Sequence, residues 1–76
     1  MSNLAYEAAY FDIRVTELKL KRIKLSMEHL LDNKPSILEF NKTKKWKDKL
    51  AKLKDEEELT YDVLYQNYDK LASLLD

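Results

Sequence analysis

The side chains that could perform acid–base or metal chemistry are few and scattered along the chain. His29 is the only histidine, with Glu28 and Asp32 as its nearest charged neighbours. A lone imidazole with no positioned nucleophile and no second set of ligands is a poor catalytic or metal site. The acidic run at 55–58 lacks the glycine and the spacing of a calcium loop, and it is more typical of a solvated helix start. We therefore predict a protein that is not an enzyme and that uses no metal and no cofactor.

Two residue types that many functional sites need are missing. The chain has no glycine and no cysteine, and its single proline is Pro35. Phosphate-cradling loops need glycine, so dinucleotide and P-loop sites are excluded, and no disulfide is possible. No apolar run is long enough to span a bilayer, and residues 1–10 carry no basic segment leading into an apolar stretch. We expect a cytoplasmic protein with no membrane partner.

A stripe of lysines beside Trp46 could bind an anionic partner. Its members are spaced three, four and three residues apart: Lys42, Lys45, Lys49 and Lys52. A helix with this stripe could lie along a phosphate backbone while the indole stacks on a base. However, direct base readout favours arginine, which is absent here, and lysine stems often flank an apolar seam. Nucleic-acid binding is therefore the alternative hypothesis.

Charge is distributed unevenly along the sequence although the formal net charge is zero. Residues 32–54 contain eight lysines and three acidic residues, whereas residues 55–76 contain one lysine and seven acidic residues. The last segment also places aromatic rings on one helical face, and we predict this face as a protein interface. Its candidate residues are Tyr61, Tyr65, Tyr68 and Leu75. Tyrosine is enriched in binding hot spots, but the rings could equally complete a small core.

The apolar residues of the N-terminal segment fall on two helical seams. The first contains Leu4, Ala8, Phe11, Val15, Leu18 and Leu25. The second contains Tyr6, Ala9, Ile13, Leu20, Ile23, Met27 and Leu30. A surface helix usually needs only one such seam, so this helix is either central in a bundle or shared between its own chain and a second copy, and we favour the second copy. As candidates for self-association we take residues of the second seam: Tyr6, Ile13, Leu20, Ile23 and Met27.

The remaining sequence predicts two more helices in one domain over 1–76. Helix 1, over about 3–31, ends before Pro35, and Ser36 with Glu39 form a potential capping box for helix 2, over about 37–54. Ile37 and Phe40 are expected to pack separately at the hairpin end. The acidic residues at 55–58 favour a break before helix 3, over about 60–75. Because no glycine or proline lies there, one long kinked helix is the alternative to this all-α three-helix bundle.

A domain of 76 residues has a thin core, and contact with another chain would add to its burial. We therefore predict a non-enzymatic binding module that forms a homodimer and docks on another protein, which it regulates or inhibits. The sequence has twelve lysines and two arginines, a bias that suits an AT-rich genome. Many phages, plasmids and low-GC bacteria carry such genomes, and the expected binding module is of the kind found among phage and plasmid accessory proteins.

Overall fold

The structure, a computed structural model, describes residues 4–75 and consists there of two antiparallel helices. Helix α1 is Leu4–Asp32 and helix α2 is Phe40–Leu75, and the described residues contain no strand. The hairpin is 63 Å long and only 15 by 12 Å in cross-section. The prediction of an all-α protein is confirmed. The predicted start of helix 1 at residue 3 lies outside the described residues.

The two helices pack along one seam with the seven-residue period of a coiled coil. On α1, the buried residues follow each other at steps of four and three: Ala9, Ile13, Thr16, Leu20 and Ile23. On α2, buried and half-buried residues alternate in the same way: Thr43, Trp46, Leu50, Leu53, Glu57, Thr60, Leu64, Asn67 and Leu71. This alternation keeps each seam facing its partner along the whole contact. The hairpin is therefore a two-stranded antiparallel coiled coil.

Polar residues interrupt the seam, and three of them make hydrogen bonds: Thr16, Thr60 and Asn67. The Thr16 hydroxyl donates to the Asp12 carbonyl (2.7 Å) and accepts from Asn67 Nδ2 (3.4 Å). The Thr60 hydroxyl donates to the Glu56 carbonyl (2.6 Å). A buried polar group costs stability unless it is paired, so the Thr16–Asn67 bond favours one alignment of the two helices.

The prediction of a break at 55–60 is wrong, because α2 is continuous for 36 residues. No glycine or proline interrupts it, and Leu53, Thr60 and Leu64 stay on one seam. The acidic run also lies near the basic segment 19–24 of α1. Lys24 Nζ is 5.3 Å from the centroid of the Tyr61 ring. Its pKa is raised above the ordinary value, mainly by hydrogen bonding to Tyr61 and to a lesser extent by the Glu57 charge. The acidic run thus lies inside a continuous helix, with Glu57 close enough to Lys24 to contribute to its raised pKa.

The predicted start of helix 2 near residue 37 is also displaced. The helix begins at Phe40, because Ser36 and Glu39 form a turn rather than a capping box. The Glu39 amide donates to the Ser36 carbonyl (2.9 Å), and the Glu39 carbonyl accepts from the Thr43 amide (2.9 Å). The prediction that Ile37 and Phe40 pack at the hairpin end is wrong as well, because these side chains are 91% and 78% exposed.

Trp46 closes the hairpin end. Its Nε1 donates to the Leu30 carbonyl (2.6 Å), which is one of the carbonyls that the end of α1 leaves without a helical partner. Asn33 caps the same end, with its amide and its side chain donating to the His29 carbonyl at 3.1 and 2.8 Å. Lys34 Nζ lies 5.8 Å from the indole centroid. These contacts fix the connection between the helices.

Candidate interaction surfaces

The hairpin uses the second seam of α1 for its own core, and this corrects the predicted self-association surface. Ile13, Leu20 and Ile23 are each less than 9% exposed and pack inside the hairpin. Met27 is half-buried, and Tyr6 is exposed near the start of α1. The core residues cannot meet a second copy while the hairpin is closed. The sequence pattern did not distinguish the seams, because both have the same spacing and similar composition.

The first seam of α1 is consequently the exposed one. Phe11, Leu18 and Leu25 are seven residues apart and are 65%, 61% and 56% exposed. In a helix with a seven-residue seam, these positions lie on the side facing away from α2. Val15 is exposed on the same side. An apolar row of this length on a solvent-facing helix is unusual, which makes it a candidate interaction surface.

Two residues of α2 extend this apolar row across the hairpin. Leu59 and Val63 line a shallow groove of about 220 Å³ together with Val15 of α1. We call the combined surface the outer face. It consists of Phe11, Val15, Leu18 and Leu25 on α1 and of Leu59 and Val63 on α2. Leu59 and Val63 were not predicted as surface residues of functional interest. The step of four between them was a usable signal, but the charged run before them hid it.

The side of α2 that faces away from α1 is acidic. Four aspartates recur every seven residues and are all exposed: Asp48, Asp55, Asp62 and Asp69. They occupy the positions of α2 that face away from α1, which are the positions that α1 fills with Phe11, Leu18 and Leu25. The back of α2 is therefore a solvated surface, whereas the back of α1 is apolar.

The predicted tyrosine surface lies along the C-terminal half of α2. Tyr61 is half-buried against α1, whereas Tyr65, Tyr68 and Leu75 are exposed. The rings of Tyr61 and Tyr65 are stacked, with centroids 6.1 Å apart and planes inclined by 19°. The stack orders Tyr65 while leaving its other face accessible. A preordered aromatic ring loses little side-chain entropy on binding, which suits it to a protein contact.

The lysine stripe is exposed on the N-terminal half of α2. Lys42 is engaged by Glu39, with 2.9 Å between Nζ and Oε2, and this ion pair raises the lysine pKa. Lys45, Lys49 and Lys52 also face solvent. Trp46 is half-buried and tied to the Leu30 carbonyl, with Lys34 over its ring. The indole is thus committed to the hairpin, which weighs against its use as a base-stacking platform.

His29 lies beside an open apolar groove of about 550 Å³ at the hairpin end, which Leu25, Leu30, Lys49 and Lys52 also line. Its ring Nδ1 is 3.4 Å from Asn33 Nδ2. Within residues 4–75, no three histidine, aspartate or glutamate side chains come together as a metal site. Neither helix, as described, is long and apolar enough to cross a membrane.

Comparisons with protein-family models, with curated proteins and with solved structures find no match. The functional proposal therefore rests on the surfaces described above.

Proposed function

We propose that this chain is a non-enzymatic helical module that associates with a second copy of itself and docks on another protein, which it regulates or inhibits. The observation that carries the proposal is an excess of exposed surface. The chain exposes 6510 Å², whereas a compact monomer of 9.1 kDa exposes about 4,900 Å². Its radius of gyration is 17.6 Å, against about 11 Å for a compact domain of this length.

Thin hairpins of this kind need further burial to be stable. The core cluster comprises Ile13, Leu20 and Leu64, with Tyr61 and Leu71 packed against it. Each outer-face side chain would contribute about 1 kcal/mol if a partner covered its exposed half. Six such side chains on each of two copies would together contribute about 12 kcal/mol, which exceeds all but the upper part of the association cost of about 4–15 kcal/mol. Association thus supplies the burial that one hairpin lacks.

The exposed tyrosine surface supports the second part of the proposal, docking on another protein. Tyr65 and Tyr68 lie between Asp62 and Asp69 along α2, so an aromatic patch has an acidic rim. That combination suits a partner with a basic, partly apolar surface. In this proposal the outer face serves self-association and the tyrosine surface serves the partner.

Affinity capture from the host, followed by mass spectrometry, tests the docking function. The wild-type chain is compared with a Tyr65→Ala/Tyr68→Ala variant and with a control, Asp48→Ala/Asp55→Ala, at exposed positions of the same helix. We expect the control to retain the captured protein and the tyrosine variant to lose more than about 1 kcal/mol of binding per ring. Equal capture by all three, or a tyrosine variant that merely unfolds with unchanged affinity per folded molecule, contradicts the assignment.

Nucleic-acid binding through the lysine stripe is the competing function, favoured by the exposure of Lys45, Lys49 and Lys52. Phosphate contacts weaken steeply as salt increases. We expect weak or no binding of duplex and single-stranded DNA at physiological salt. Tight, salt-sensitive binding that a Lys45→Glu/Lys49→Glu variant abolishes without unfolding would replace the protein-binding function with this one.

A further inference from the structure

We infer that the outer face is covered by the outer face of a second copy, with the two hairpins lying antiparallel as a four-helix bundle. This inference rests on the proposed self-association and specifies its surface and orientation. The face is continuous across both helices, since Val15, Leu59 and Val63 line one groove. A second hairpin laid on it would therefore contact α1 and α2 together rather than one helix alone.

The surface area indicates an occupant as large as the chain itself. One hairpin exposes 6510 Å², about 1,600 Å² more than a compact monomer of its mass. Obligate interfaces take about 1,000–2,500 Å² from each subunit. A single short peptide in the groove would leave much of the row from Phe11 to Leu25 uncovered, whereas a second hairpin of the same length matches it.

Self-complementarity also favours a second copy. A two-fold interface places the same patch on both subunits, so the patch must tolerate its own composition. None of the six outer-face residues is charged. The groove between Val15, Leu59 and Val63 is also lined by Lys19 and Glu56, and these opposite charges can pair with each other when the face is covered, so the contact need not bury a charge without a partner.

Charge along α2 determines the orientation. Residues 40–54 carry seven lysines and one acidic residue, whereas residues 55–75 carry one lysine and six acidic residues. Lysines in the N-terminal half of a helix also oppose its dipole, so that half gains from nearby negative charge. Antiparallel hairpins place the basic half of one α2 beside the acidic half of the other, whereas parallel hairpins place like charges together.

Spin labels can measure this orientation directly, because the chain has no cysteine of its own. A Lys44→Cys variant places one label on the exposed side of α2, near the hairpin end. With the two-fold axis near Val15 and Val63, the two labels of an antiparallel dimer lie about 57 Å apart along the bundle, from the helical rise of 1.5 Å per residue. A short distance would mean parallel hairpins and would overturn the orientation. The absence of any intermolecular distance would overturn the dimer.

Charge substitution tests the surface itself. Leu18→Glu places a carboxylate in the centre of the outer face, and we expect at least a hundredfold weaker association in sedimentation. Glu17→Lys, at an exposed position about 100° around the helix from Leu18, is the control for a change of charge away from the row and should remain dimeric. A Leu18→Glu chain that stays dimeric refutes the outer face as the interface while leaving self-association intact. A wild-type monomer would refute both, and a monomer that captures a host protein through this face would assign the face to that partner instead.

Discussion

On each helix, the side that faces away from the other helix, here called its back, carries one class of residue every seven residues. These residues are apolar on α1 and acidic on α2. Helix α1 places Leu4, Phe11, Leu18 and Leu25 there, and helix α2 places Asp48, Asp55, Asp62 and Asp69. All eight side chains are exposed in the single hairpin. Aspartate at every such position keeps α2 solvated, whereas leucine and phenylalanine leave α1 with a surface that water does not favour. This contrast is the reason for proposing the back of α1, and not the back of α2, as part of the self-association surface.

The largest expected loss of stability comes from a substitution in the seam between α1 and α2. Leu64 is 6% exposed and belongs to the core cluster with Ile13 and Leu20. We expect Leu64→Ala to cost about 2–5 kcal/mol, because it removes buried methyl groups and leaves a cavity. Thermal unfolding followed by circular dichroism at 222 nm measures the loss. An unchanged melting temperature would show that α1 and α2 do not pack as described.

Making the back of α2 resemble the back of α1 should change the assembly rather than the fold. An Asp55→Leu/Asp62→Leu variant acquires a second apolar surface on the opposite side of the hairpin. We expect species larger than a dimer in light scattering, because a molecule with two apolar surfaces can bind one further copy through each surface and the assembly does not end at a dimer. Asp55→Asn/Asp62→Asn removes the same charges without the apolar groups and should behave as the wild type. A leucine variant with wild-type assembly would mean that exposed leucines at this spacing do not drive association.

Removing a hydrogen bond between polar residues of the seam should lower the stability moderately. Asn67→Ala removes the hydrogen bond from Asn67 Nδ2 to the Thr16 hydroxyl. We expect a loss of about 0.5–1.5 kcal/mol, the usual net contribution of one such bond. Gln66→Ala, at the exposed neighbouring position, is the control and should be neutral in urea unfolding. Equal losses of stability in the two variants would show that Asn67 makes no stabilising contact in the seam.

The smallest expected effect concerns the contact between Lys24 and Tyr61. The pKa of Lys24 is raised in the folded chain above its ordinary value of 10.5. Its stabilising contribution is therefore fully present below that value and is lost as the pH rises through the raised pKa. Lys24→Gln should give a slightly lower melting temperature than the wild type, by a constant amount from pH 6 to pH 9. A difference that varies across that interval would contradict this account.

Part of this architecture could be predicted from sequence. Apolar periodicity predicts a helical chain and both seams of α1. The absence of glycine and proline at 55–60 favours a continuous α2, whereas the acidic residues there favour a break, and the structure has the continuous helix. The seam of α2 was harder to recognise, because Thr43, Glu57, Thr60 and Asn67 occupy seam positions with polar side chains. Which seam of α1 faces α2 depends on the fit between the helices, and a one-dimensional pattern does not contain that fit.

The central claim is that one hairpin is half of a larger folded unit, and dilution tests it most directly. Helicity at 222 nm and sedimentation are measured on the same wild-type samples over about three decades of concentration, since the stability of an obligate dimer depends on concentration. We predict a dimer at high concentration and a joint loss of dimer and helicity on dilution. A fully helical monomer that unfolds at a melting temperature independent of concentration would contradict the claim.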